Sequence, residues 1–207
     1  MDATSLLAGA RVIPVVVIDD AEQAVPLAKS LADAGLESIE VTLRTAAALE
    51  AITRIAAEVP HMVVGAGSLR KAEHVVEVQK AGAQFAVAPG ATDQLLDAAD
   101  AAGMPMVPGA ATASEMMRLF ERGYVLQKFF PAELAGGIPY LEAVGAPLPE
   151  LRFVPTGGIS AELAKDYLAL ANVAAVGGSW ITPVRLLETG DFDGIARIAA
   201  AAARLGM

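Results

Sequence analysis

The sequence predicts a parallel α/β fold: a single-domain (β/α)8 TIM barrel, with eight strands ringed by helices. Three observations lead to it. Short β-branched runs alternate with Ala- and Leu-rich stretches from end to end, and no linker, charge block or low-complexity tract interrupts them. The strand-helix units recur at a pitch of roughly 20 to 25 residues, which suits a closed barrel whose apolar strands are buried on both sides. The G-x-G-x-x-G fingerprint of a doubly wound open sheet, the alternative architecture, is missing, because Val17-Ile18-Asp19-Asp20 occupies the turn after the first run. Residues 1–207 are read as one domain.

The eight expected strands are residues 11–18, 38–44, 61–67, 84–88, 105–109, 124–130, 152–156 and 173–177. Between them, Ala24, Leu27, Ala28 and Leu31 keep the i, i+3, i+4, i+7 spacing of a helix face, and Leu49, Ile52 and Ala56 repeat it with Thr45 as the expected cap. Thr112-Ala113-Ser114-Glu115 has the form of a capping box. In the sixth unit, Gly136-Gly137, Pro139 and Pro147 leave room for only a short helix after Ile138.

Composition excludes several function classes. With no cysteine there is no disulfide, thiolate metal site or cysteine nucleophile, and a formal net charge of −9 does not suit a nucleic-acid surface. Aromatic residues are too few, at 5%, for base-stacking platforms. The longest apolar run, residues 12–18, contains Pro14 and falls far short of the ~18 residues of a membrane span. Met1-Asp2-Ala3-Thr4 lacks the basic flank of a secretory signal, so a cytoplasmic enzyme acting on small molecules is expected.

Barrel chemistry takes place at the C-terminal ends of strands. In Ser38-Ile39-Glu40-Val41-Thr42-Leu43-Arg44 the even positions are polar, and period two directs Glu40 and Arg44 inward, where they are expected either to serve a reaction or to form a structural ion pair. Lys29, Lys71, Lys80 and Lys165 fall on helical stretches and read as solvated charges. Lys128 differs, because it lies inside a strand and shares parity with Leu126 and Phe130. Such surroundings disfavour an ammonium and favour the neutral amine, a nucleophile for carbonyls; the plainer reading is a lysine paired with Glu40 in the core. Thr156-Gly157-Gly158 and Gly177-Gly178-Ser179 close the last two strands, where a barrel usually holds phosphate on backbone N–H groups, with residues 183–188 as a nearby helix. His61 opens a strand and His74 sits on a helix, so metal ligands are lacking, while Trp180 and Met104, Met106, Met116 and Met117 read as packing.

These residues resemble the 2-keto-3-deoxy-6-phosphogluconate (KDPG) aldolase and 2-keto-4-hydroxyglutarate (KHG) aldolase family over nearly the whole chain. Gly35-Leu36-Glu37-Ser38-Ile39-Glu40-Val41-Thr42-Leu43-Arg44 is similar to its acid/base segment, and Lys128-Phe129-Phe130-Pro131-Ala132-Glu133 to its Schiff-base segment. Val64-Gly65-Ala66-Gly67, Pro89-Gly90, Pro108-Gly109, Pro155-Thr156-Gly157-Gly158-Ile159 and Gly177-Gly178-Ser179-Trp180 follow in the family's order. The resemblance implies that Lys128 forms the imine, Glu40 moves protons and Arg44 holds the substrate carboxylate with Ser68 near it. Pro89 and Phe130 would line the pocket, and Thr156, Gly157, Gly158, Gly178 and Ser179 would receive the phosphate. Ser68 stands where the family usually has threonine, keeping the hydroxyl without the methyl, and Gln127 where the residue before the lysine is usually apolar.

The implied protein is a class I aldolase of Entner-Doudoroff type sugar-acid catabolism, cleaving KDPG to pyruvate and glyceraldehyde 3-phosphate. It would use no cofactor or metal beyond the Lys128 imine, bind a keto acid and a phosphosugar but neither nucleic acid nor membrane, and assemble as a homotrimer. The alternatives are an aldolase for KHG or a C4-epimeric sugar acid, or a phosphosugar isomerase or epimerase, which would not need Lys128.

Overall fold

The computed structural model describes residues 2–205. A short helix, α1 (Ala3–Leu6), comes first, capped by the Asp2 carboxylate, which accepts from the Ser5 N–H at 2.8 Å. Strand β1 (Val12–Val16) and a 3-10 turn at Ala21–Gln23 lead to α2 (Ala24–Asp33), then β2 (Ser38–Thr42), α3 (Ala48–Glu58), β3 (Val63–Gly67), α4 (Ala72–Lys80) and β4 (Phe85–Val87). Next come α5 (Asp93–Ala102), β5 (Met106–Val107), β6 (Gly109–Ala110), α6 (Ala113–Glu121), β7 (Leu126–Phe129), α7 (Gly137–Gly145) and β8 (Arg152–Pro155). The chain ends with α8 (Ala161–Leu168), β9 (Val176–Gly178), α9 (Val184–Glu188) and α10 (Phe192–Ala203).

Each expected run overlaps a strand, but the strands are shorter, the last is shifted to Val176–Gly178, and the fifth run is divided and continues to Ala110. Pro108 has no N–H to donate, so β5 and β6 are separate segments on either side of it. In place of one eight-stranded ladder there are two parallel sheets, ordered β5-β4-β3-β2-β1-β9 and β6-β7-β8. Between β8 and β9 the pairing reduces to single bridges, Phe153 with Val173 and Thr156 with Gly177.

Period-two alternation sorts the strand residues into two buried layers. Ile13, Phe85, Val87, Val107, Leu126, Val154 and Ala175 form an inner cluster. Val12, Val16, Ile39 and Val41 face outward, in the cluster that holds Leu27 and Leu31 of α2 and Ile52 and Ile55 of α3, and Phe129 faces outward to stack on Tyr140 of α7 at 5.4 Å. Ala3 and Leu7, at and beside α1, complete the inner cluster, a role the sequence pattern did not announce. At this end of the strands lies a cavity of about 500 Å³, lined in part by Asp2, Met104, Arg122 and Tyr124. Its guanidinium, Arg122, is already held by Asp97 and Asp100, each at 2.7 Å.

Helix starts follow local chemistry. The Thr112 and Glu115 capping box forms as expected, and Thr92, Ser160 and Asp191 cap α5, α8 and α10 through their side chains. Thr45 is not the cap of α3, which starts at Ala48; its hydroxyl donates to the Ile18 carbonyl and joins two loops instead. Met104, Met106 and Met116 are buried, but Met117 is half exposed on α6, because only one side of that helix faces the sheet. His61 lies in the turn before β3 and is exposed, and His74 on α4 accepts from the Arg70 N–H. Among the described residues no helix is long and apolar enough to cross a membrane.

Candidate active site

Strand β7 positions Lys128. Leu126 belongs to the inner cluster and Phe129 to the outer layer, so alternation turns Lys128 inward and Gln127 outward. Beside Lys128 are Gly109 of β6 and Val154 of β8, and its N–H donates to the Pro108 carbonyl at 2.8 Å. Gln127 has a use for its polarity: its amide donates to the carbonyls of Met116 at 3.0 Å and Tyr124 at 2.9 Å, tying β7 to α6.

The other half of the site comes from β2. Ile39 and Val41 face the helices, which leaves Ser38, Glu40 and Thr42 on the inner side. Thr42 donates to the Val16 carbonyl at 2.9 Å, while the Glu40 carboxylate reaches across the interior to Lys128, its Oε1 3.3 Å from Nζ. The two residues are 88 apart in sequence and on different sheets. Lys128 is 5% and Glu40 3% exposed, so their ion pair is largely screened from water. A buried pair of this kind gains little net stability, because desolvation offsets much of the attraction. Gly67 on β3 makes the reach possible: a Cβ there would lie 2.1 Å from Glu40 Oε1. The Phe130 ring centroid is 5.4 Å from Nζ, within cation-π range.

Arg44 departs from expectation. Strand β2 ends at Thr42 and the Arg44 N–H donates back to the Thr42 carbonyl at 2.8 Å, so the chain has turned before period two can carry Arg44 inward. It is exposed, its Nε is 3.4 Å from the Ser68 hydroxyl, and it is not the ion-pair partner of Glu40. Ser68 follows β3 with a left-handed φ of 63°, unusual for a residue with a side chain. Pro89 is exposed beyond β4 and its carbonyl passes over Gly109, where a Cβ would meet it at 2.4 Å, which brings Pro89 next to the Lys128 strand. Phe130 is half-buried directly after β7.

The two glycine loops lie side by side, because Thr156 bridges to Gly177. Gly157 and Gly158 have φ of 104° and 82°, values that favour glycine. Gly178 is buried under the Trp180 indole, and Ser179 is exposed next to it. Thr156 is buried, with its hydroxyl donating to the Val154 carbonyl at 3.3 Å. The expected short helix after this loop is present as α9, with Pro183 before its first residue.

Two side chains near these loops escaped the sequence reading. Glu133, quoted only as part of a motif, accepts from the hydroxyl of Tyr167 on α8. Burial first, and then the bond to Glu133, push the Tyr167 phenol well above its usual range, so it stays a donor. Gly67 was legible only as part of a glycine-bearing strand. Among the described residues no group of three or more His, Cys, Asp or Glu is arranged to hold a metal.

Comparison with known proteins finds relatives over most of the chain. The family model for KDPG and KHG aldolase matches residues 3–198. A 2-dehydro-3-deoxy-phosphogluconate aldolase from Pseudoalteromonas atlantica is 48% identical over 188 residues, covering 91% of this chain and 87% of the relative. The KDPG aldolase of Legionella pneumophila, solved with pyruvate captured as a covalent carbinolamine, superposes with a TM-score of 0.95 at 40% identity, over 98% of both chains. The 2-keto-3-deoxy-6-phosphogluconate aldolase of Zymomonas mobilis, solved with 3-phosphoglycerate, gives a TM-score of 0.91 at 41% identity, over 97% of this chain and 94% of that one.

Proposed function

The chain belongs to the KDPG and KHG aldolase family, and from that premise we propose that Lys128 and Glu40 carry a Schiff-base cleavage of KDPG to pyruvate and glyceraldehyde 3-phosphate. The observation that carries the reading is the buried Lys128-Glu40 contact at 3.3 Å, an amine and a carboxylate placed to exchange a proton. The Lys128 amine adds to the C2 ketone, giving a carbinolamine that loses water to an iminium. Glu40 takes the proton of the C4 hydroxyl, the C3-C4 bond breaks, and its electron pair flows into the iminium to leave an enamine. Glyceraldehyde 3-phosphate departs. The enamine is protonated at C3, Glu40 being the nearest carboxyl, and water then releases pyruvate and restores the amine.

The remaining residues hold the substrate. Arg44, steadied by Ser68, offers a bidentate fork to the C1 carboxylate, and Pro89 and Phe130 form the wall beside C2. Gly157, Gly158 and Gly178, with Ser179 and Thr156, receive the distal phosphate on backbone N–H groups and hydroxyls. No metal enters this scheme. An aldolase acting on KHG or on a C4-epimeric sugar acid would use the same machinery, whereas an isomerase would leave the amine of Lys128 without work.

We also read the two sheets as one closed (β/α)8 barrel and a single domain, with β5 and β6 as one strand interrupted at Pro108 and the two single bridges joining β8 to β9. A cytoplasmic homotrimer is the assembly and location that go with this family reading. Borohydride reduction in the presence of pyruvate tests the chemistry. One reduced adduct on Lys128 is expected, with adduct and cleavage both lost in Lys128→Arg, whose guanidinium stays charged. An adduct on Lys29, Lys71, Lys80 or Lys165 would overturn the assignment.

A further inference from the structure

The segment after Lys128 is joined at two points to the loop after β8 and at a third to α8. The Ala132 N–H donates to the Thr156 carbonyl at 2.9 Å, the Glu133 N–H donates to the Gly157 carbonyl at 3.2 Å, and the Tyr167 hydroxyl donates to Glu133 Oε1. Packing reinforces these bonds. A Cβ on Gly158 would lie 2.9 Å from both Cβ and Cγ of Glu133, so this side chain lies directly against the glycine. Gly137, at a φ of +59°, leaves space beside the pair: a Cβ there would be 3.3 Å from the Tyr167 hydroxyl and 3.4 Å from Glu133 Oε1.

Tyr167 is fully buried on α8, whereas Glu133 is an exposed residue, so the tyrosine is the anchor and the carboxylate is what it holds. Helix α8 begins just after Gly158, with Ser160 as its cap. The bond therefore ties a residue a few positions after Lys128 to the helix that carries the glycine loop.

We propose that the Glu133-Tyr167 pair is a positioning device that sets the separation between Lys128 and the Gly157-Gly158 loop, and so gives this site its preference for a keto acid with a distal dianion. The proposal rests on the reading of that loop as the phosphate site. A substrate anchored as an imine at one end and by phosphate at the other gains from both only when the anchors are correctly spaced, and a misplacement of about 1 Å costs on the order of 100-fold. A keto acid without the phosphate uses one anchor and is insensitive to the spacing.

The test compares kcat/KM for KDPG and KHG in Tyr167→Phe, Glu133→Gln and Glu133→Ala, with borohydride trapping of pyruvate alongside. Tyr167→Phe keeps the ring in the core, and the freed carboxylate is open to water; a thermal melt close to wild type checks that the fold is kept. In Tyr167→Phe and Glu133→Ala, kcat/KM for KDPG should fall about tenfold to 100-fold, the worth of a hydrogen bond to a charged group, while KHG cleavage and pyruvate trapping stay within about twofold. Glu133→Gln still accepts from Tyr167 and should keep most of the preference. Equal losses on both substrates, or no loss on KDPG, would overturn the proposal. Gly158→Val separates its failure from that of the phosphate reading. If Gly158→Val spares KDPG, the phosphate reading falls and the proposal with it; if it impairs KDPG alone while Tyr167→Phe does not, only the spacing role falls.

Discussion

Replacing Gly67 with alanine tests the proposed base by displacing it without changing it. The new Cβ would lie 2.1 Å from Glu40 Oε1, 2.6 Å from its Cγ and 2.7 Å from its Cδ. Ordinary contact begins near 3.4 Å, so the carboxylate has to retreat by about 1.3 Å. Oε1 is the same atom that stands 3.3 Å from Lys128 Nζ. Because Cγ is also too close, rotating the carboxylate alone does not relieve the overlap, and the whole side chain of Glu40, a residue only 3% exposed, has to shift. A displacement of about 1 Å at a reacting group costs on the order of 100-fold, and overpacking a filled interior costs roughly 1–3 kcal/mol of stability. The assay is steady-state cleavage of KDPG, read as pyruvate released, with a thermal melt on the same preparation. We expect kcat to fall about 100-fold with little change in KM, because substrate is held by other residues. Turnover within about threefold of wild type, in a protein that melts at the wild-type temperature, would refute the argument that Glu40 must stand at this distance.

Glu40→Gln keeps the shape and removes the base, so turnover should drop by about 100-fold to 10,000-fold in the same assay, and near-normal turnover would return Glu40 to a purely structural ion pair. Treatment with a strong chelator should leave KDPG cleavage unchanged, since each proposed step runs through Lys128 and Glu40; activity lost to the chelator and restored by a divalent cation would contradict it.

Much of the site was legible because a strand has a strict two-residue period. A lysine two residues on from inward-facing Leu126, and a glutamate alternating with outward-facing Ile39 and Val41, had to face the interior, and both do. Arg44 was misread by the same rule, because nothing in Leu43 or Arg44 signals that the strand stops at Thr42 and the chain turns. Thr45 fits a helix cap by residue type, yet its hydroxyl found the Ile18 carbonyl of a neighbouring loop. Glu133 and Tyr167 look in sequence like one motif residue and one helix residue. Their bond exists because α8 returns over the segment that follows β7.

The sequence by itself determined the alternation of strands and helices, which strand faces turn inward, and hence that an amine and a carboxylate would both be buried. These follow from spacing and polarity, which are local. Tertiary structure alone decided that Glu40 pairs with Lys128 and not with Arg44, that the fifth strand breaks at Pro108, and that Gly67 leaves the space the carboxylate enters. The physical reason is that pairing depends on which strands face one another across the interior and on where each one ends. A glycine's contribution there is an absent atom, whose meaning depends on a side chain 27 positions away on the adjoining strand.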